Sequence, residues 1–156
     1  MERGKAEFFL PQRLSEPALA AVLNYWQGLK RPGADVPYWD DVDMAKLSGE
    51  RHRLLLLDVF DSPQRFRFAI VGASVAKACQ RELEDRFVDA VPASGPLRRM
   101  AEQCRAAVAS VRPTYYQDAP SGGEKGVARL LLPMWGNGQV QMLLGAVAGE
   151  VLADAA

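Results

Sequence analysis

The chain has 156 residues, with nineteen Lys and Arg set against nineteen Asp and Glu, and 49% of its residues are hydrophobic. That length suits one domain with one substantial core, while a formal net charge of zero lacks the positive field that nucleic-acid binding needs, so such partners are not expected. Balanced charge also gives little colloidal repulsion and favours self-association, with a homodimer as the expected state.

Near the N-terminus the only apolar patch is Phe8, Phe9 and Leu10 before Pro11, short of the roughly 7–15 residues of a secretory h-region. The longest apolar run of the body, Leu54–Leu57, falls well below the about 20 residues that cross a bilayer. A cytoplasmic protein without membrane attachment is the expectation. Cys79 and Cys104 lack CxxC spacing and read as reduced, buried side chains.

Residues 15–29 predict the first helix: Ser15 as N-cap, Pro17 in the first turn, and Leu19, Val22, Leu23, Trp26 and Leu29 on one stripe. That stripe needs a cover, either the chain's own domain or the same helix of a second copy. Two large neighbouring aromatics, Tyr25 and Trp26, are not expected to face one core together, which makes Leu19, Val22, Leu23, Tyr25 and Trp26 the candidate dimer or partner surface. Residues 30–42, rich in Pro, Gly and Asp, read as a connector pinned by Tyr38 and Trp39, and a short helix is expected over 43–47.

LLLLDVFDSPQRFRFAIVG, residues 54–72, predicts a hairpin turning at Asp61-Ser62-Pro63, with Phe66, Phe68 and Ile70 alternating with Arg65, Arg67 and Ala69. Residues 73–91 predict small helices or turns on one side of the sheet. A long helix is expected over 95–112, capped by Ser94, with Leu97, Met100, Ala101, Cys104, Val108 and Val111 on its stripe and Pro113 ending it. Strands are expected over 114–117, 127–133 and 139–147. The first two are separated by APSGGEKG and the last two joined by Trp135-Gly136-Asn137-Gly138.

The resulting expectation is an α+β fold: a five-stranded antiparallel sheet with helices on one face, preceded by an amphipathic N-terminal helix. Residues 1–41 form the helix and connector, 42–150 the main domain, and 151–156 a C-terminal tail.

The order of elements resembles a PAS domain. Tyr25-Trp26, LLLLDV at 54–59, FRFAIVG at 66–72, RPTYY at 112–116, LLLPM at 130–134 and MLLGAV at 142–147 together resemble a compact, mostly alphaproteobacterial PAS subfamily, and the likeness spans nearly the whole chain. Ala69 stands where such sequences carry an arginine, and RELEDRF at 81–87 where they carry a Gly-rich turn. The resemblance implies a sensing or interaction module, often dimeric, and supplies no cofactor by default.

Cofactor and catalytic patterns fare poorly. Cys79 lies in AKACQRE without the neighbouring asparagine of a flavin photosensor, and the single histidine, His52, sits between Arg51 and Arg53 before the first strand rather than on the long helix where a haem ligand belongs. No haem or flavin motif, clustered metal site, GxSxG or phosphate loop occurs. An enzyme is not expected.

A candidate cavity lies where the long helix faces the sheet. Its walls would be Met100, Cys104 and Val108 from the helix and Phe66, Phe68, Ile70, Leu131, Met142 and Leu144 from the sheet, with Tyr115 or Arg129 as polar anchors for a small apolar or aromatic ligand. The expected function is a PAS-like regulatory protein that binds such a ligand, a protein partner or both. Output is expected to pass through a downstream signalling protein, since these 156 residues leave no room for a catalytic output domain. The alternative is a ligand-free interaction module with a filled core.

Overall fold

A computed structural model describes residues 8–118 and 125–155. The chain runs through α1 (Pro17–Gly28), a 3-10 stretch (Met44–Arg53), β1 (Leu54–Phe60), β2 (Arg65–Val71), α2 (Ala73–Cys79), 3-10 turns at Val88–Ala90 and Gly95–Leu97, α3 (Met100–Ser110), β3 (Thr114–Asp118), β4 (Val127–Gly136) and β5 (Gln139–Ala148). A last 3-10 stretch follows over Glu150–Ala155. The five strands form one antiparallel sheet in the order β2-β1-β5-β4-β3, which is the expected α+β architecture.

The sheet carries a core on each face. On one side α2 and α3 cover Leu55, Leu57, Phe66, Phe68, Leu131, Leu143 and Val147, with Val75, Met100, Cys104 and Ala107 from the helices. On the other, α1 lies over β4 and β5 and drives Leu19, Val22 and Trp26 against Leu130, Leu132, Met134, Leu144 and Ala146. The helices after β2 therefore keep to one face, and α1, for which the sequence left two destinations open, covers the other in cis. Its three inward residues are at most 1% exposed, and such burial contributes about 1.5–3 kcal/mol per large apolar side chain.

Local chemistry accounts for several boundaries. Ser15 does not cap α1: its hydroxyl donates to Glu16 at 3.2 Å, and Glu16 occupies the cap position without a capping bond. Asp43 caps the stretch that follows the connector, its Oδ1 accepting from Ala45 N at 3.1 Å, and the expected short helix continues as a kinked 3-10 path to Arg53. β4 runs to Gly136, three residues beyond its expected end, because the turn needs only Asn137 and Gly138, both at positive φ (52° and 77°). Tyr38 and Trp39 do pin the connector. Tyr38 bridges Trp135, the Trp135 N–H donates to Pro37 O at 2.8 Å, and the Trp39 ring lies where a Gly136 side chain would stand.

The regular alternation expected along β2 breaks once. A bulge between Leu56 and Leu57 pairs Ile70 with Leu56 and Phe68 with Leu57, so Ile70 leaves the face that Phe66 and Phe68 share and lies opposite Leu56, which packs on the α1 side. Each outer strand is engaged at one residue of its free edge. Phe68 exchanges backbone hydrogen bonds with Asp85 and Arg86, and Tyr115 N donates to Phe8 O at 3.2 Å. The APSGGEKG segment falls largely outside the described residues. Among the described residues no helix is long and apolar enough to cross a membrane.

Candidate functional site

The space between α3 and the sheet unites only part of the candidate cavity. Phe66, Phe68, Met100, Cys104 and Leu131 pack on one another there, with Val108 at the margin. Tyr115, Met142 and Leu144 face the opposite layer beside Leu19, Val22 and Trp26, with Leu23 and Tyr25 partly buried against it. Strand register explains the split. Arg129 is cross-paired with Tyr116, and Tyr115 with Leu130, so a period of two sends Tyr115 and Arg129 to different faces. They cannot anchor one ligand. Against expectation, Tyr25 and Trp26 pack on the same layer, Trp26 buried in it and Tyr25 half-buried at its margin: the indole Nε1 donates to Pro133 O at 2.9 Å, while the Tyr25 hydroxyl accepts from Asp43 N at 2.7 Å and donates to Asp43 O at 3.2 Å.

Arg129 is the one charged side chain that is fully buried among the described residues. Its Nε donates to Gln103 Oε1 at 2.7 Å, Nη1 to Pro96 O at 2.8 Å and Nη2 to Arg98 O at 2.8 Å, with the Tyr116 ring 5.0 Å away. Burial pulls its pKa down to about 10, which still leaves the guanidinium charged near neutrality. Gln103 completes the linkage by donating from Nε2 to Thr114 Oγ1 at 3.2 Å and to Arg129 O at 3.1 Å.

This clasp determines how α3 begins. The carbonyls of Pro96 and Arg98 that a continuous helix would use internally are taken by the guanidinium. Residues 95–97 consequently form a separate 3-10 turn, Arg99 adopts a left-handed conformation (φ 55°), and α3 starts at Met100. Ser94 makes no capping hydrogen bond. The helix buries Met100, Gln103, Cys104 and Ala107, so the polar Gln103 occupies a stripe position that the apolar pattern passed over. That polar interruption, together with the lone Arg129 in VARLLLPM, is the signal for the pair.

A second polar group sits at the mouth of this space. Arg98 makes a two-pronged pair with Asp118, at 2.6 and 2.8 Å, and Tyr116 donates its hydroxyl to Asp118 at 2.7 Å. The hydrogen-bonded pair with Arg98 chiefly, then the Tyr116 hydroxyl, hold the Asp118 carboxyl at about 2, below its ordinary 3.8, against the opposing effect of burial. A depressed carboxylate stabilises the fold fully above its unfolded pKa and loses that contribution as pH falls through the folded one. Stability is therefore expected to fall between about pH 4 and pH 2, and Asp118→Asn to flatten that limb in urea titrations across the window.

Both cysteines are free thiols. Burial pushes Cys104 up to about 12 and Cys79 up to about 11, so neither is a poised nucleophile near neutrality. His52 is exposed at the end of the 3-10 stretch. Among the described residues no cluster of three or more His, Cys, Asp or Glu is placed to hold a metal ion.

No known protein family matches this chain, and no curated protein matches it.

Proposed function

We propose that this chain is a PAS-like regulatory module that acts by binding another protein, with no catalytic chemistry of its own and no ligand in its interior. The observation that supports this most is the state of Arg129: its guanidinium is held by Gln103, Pro96 and Arg98 and lies among packed core side chains. A carboxylate or aromatic ligand entering there would have to displace three hydrogen bonds to a buried charge, each worth about 1.5–3 kcal/mol. The five-stranded antiparallel sheet with α2 and α3 on one face, the architecture that the resemblance to PAS domains implies, supports the class of module. Assembly through the apolar stripe of α1 forms no part of the proposal, since the chain's own sheet buries Leu19, Val22 and Trp26. Native mass spectrometry beside the denatured mass tests the reading. The expected native species is an integer multiple of the chain mass without adduct, and a stoichiometric adduct that survives gel filtration and leaves on denaturation would overturn it in favour of an interior-ligand sensor.

A further inference from the structure

β3 borders the sheet, with β4 on one side only. Along such a strand the backbone groups of successive residues point alternately toward the neighbouring strand and away from it. Tyr115 N points away, donating to Phe8 O at 3.2 Å, so Gln117, two residues on, also turns its N–H and C=O outward. Among the described residues nothing pairs with those two groups or with the Tyr115 C=O.

Phe8 fills a slot beside this edge. Its ring is 5% exposed, lies 6.2 Å from the Tyr116 ring and has the Arg99 guanidinium over it at 5.3 Å. Of the described residues before α1, Phe8 alone joins the core beneath α3, while Leu10 and Leu14 lean on the opposite layer. Phe9 is 72% exposed, and residues 9–14 make no backbone hydrogen bond among the described residues. The segment is thus a strap fastened at its Phe8 end by one ring and one backbone bond, and it takes up only one of the outward groups of Tyr115 and Gln117.

From this arrangement we infer that the β3 border is the partner-binding surface, that the partner supplies an extended segment with a phenylalanine-class side chain, and that Phe8 holds the partner's place until it is displaced. An incoming segment running beside β3 uses the outward groups of Gln117 that the strap leaves idle, and its aromatic side chain refills the slot. The ring between Tyr116 and Arg99 makes the slot aromatic-selective, since an aliphatic side chain forfeits both the ring pair and the contact with the cation. A short tether gives Phe8 a high effective concentration, so only a segment that makes the additional bonds wins the exchange. The inference rests on the reading of the chain as a protein-binding module; the exchange is read at Tyr115 and Gln117 and that reading by the native mass, so either can fail without the other.

A fluorescein-labelled peptide copying residues 4–13, GKAEFFLPQR, probes the slot in the full chain. Phe8→Ala should bind it saturably below about 1 mM, with amide shifts centred on Tyr115 and Gln117. The wild type should bind it at least about tenfold more weakly, because its own Phe8 competes. The same peptide with alanine in place of its first phenylalanine should bind Phe8→Ala at least about tenfold more weakly. Hydrogen exchange of the wild type needs no variant: the Tyr115 amide should exchange at least about tenfold faster than the amides bonded between β3 and β4, since only the strap has to leave. No saturable binding to Phe8→Ala, equal binding of the two peptides, equal binding by the two chains, or a Tyr115 amide as protected as the β3–β4 amides would each overturn the inference.

Discussion

Arg129→Met is expected to lower unfolding free energy by about 3 kcal/mol, a large share of the about 5–15 kcal/mol that holds a domain together. The substitution strands Gln103 Oε1 and the carbonyls of Pro96 and Arg98, all of which accept from the guanidinium at 2.7–2.8 Å. Three stranded acceptors cost about 1–3 kcal/mol each, and the relief of no longer burying a cation offsets part of that total. Urea melts with an unchanged m-value would register the loss as a lower midpoint. Backbone amide shifts should move most at residues 95–100, since the guanidinium interrupts the helix there, and a shift pattern confined to β4 would contradict the clasp. Arg129→Lys should rescue little, because one ammonium cannot span three acceptors held in a planar fork.

Trp26→Ala should cost about 3–5 kcal/mol, the usual range for removing a buried tryptophan. The indole is 1% exposed, donates to Pro133 O at 2.9 Å and packs with Leu19 and Val22 on β4 and β5. The loss should be independent of protein concentration, because the face it fills belongs to the same chain. A midpoint that rises with protein concentration in the wild type and loses that dependence in Trp26→Ala would instead place α1 between two copies.

The sheet was legible because each strand has its own local signal: alternation in β2, the Asn137-Gly138 turn between β4 and β5, and continuous apolar runs in the doubly covered strands β4 and β5. The site was less so. Phe66 and Phe68 were placed with Met100 and Cys104 by periodicity alone. Ile70 was lost because a bulge depends on the partner strand, which β2's own sequence does not encode. Tyr115 and Tyr116 are interchangeable by composition, and only the register that sets Tyr116 opposite Arg129 decides which ring faces the clasp.

The engaged borders of the sheet limit how the chain meets other polypeptides. Phe68 is already paired with Asp85 and Arg86 on one outer strand, and Tyr115 with Phe8 on the other. A segment seeking to extend the ladder through Phe68 or Tyr115 would have to displace that piece of the chain first, and so would templated fibre growth across those residues. Recognition of this protein by strand addition therefore begins with a local opening, and the hold of Phe8 on Tyr115 and on the Tyr116 ring, 6.2 Å away, sets how often that opening occurs at the β3 border.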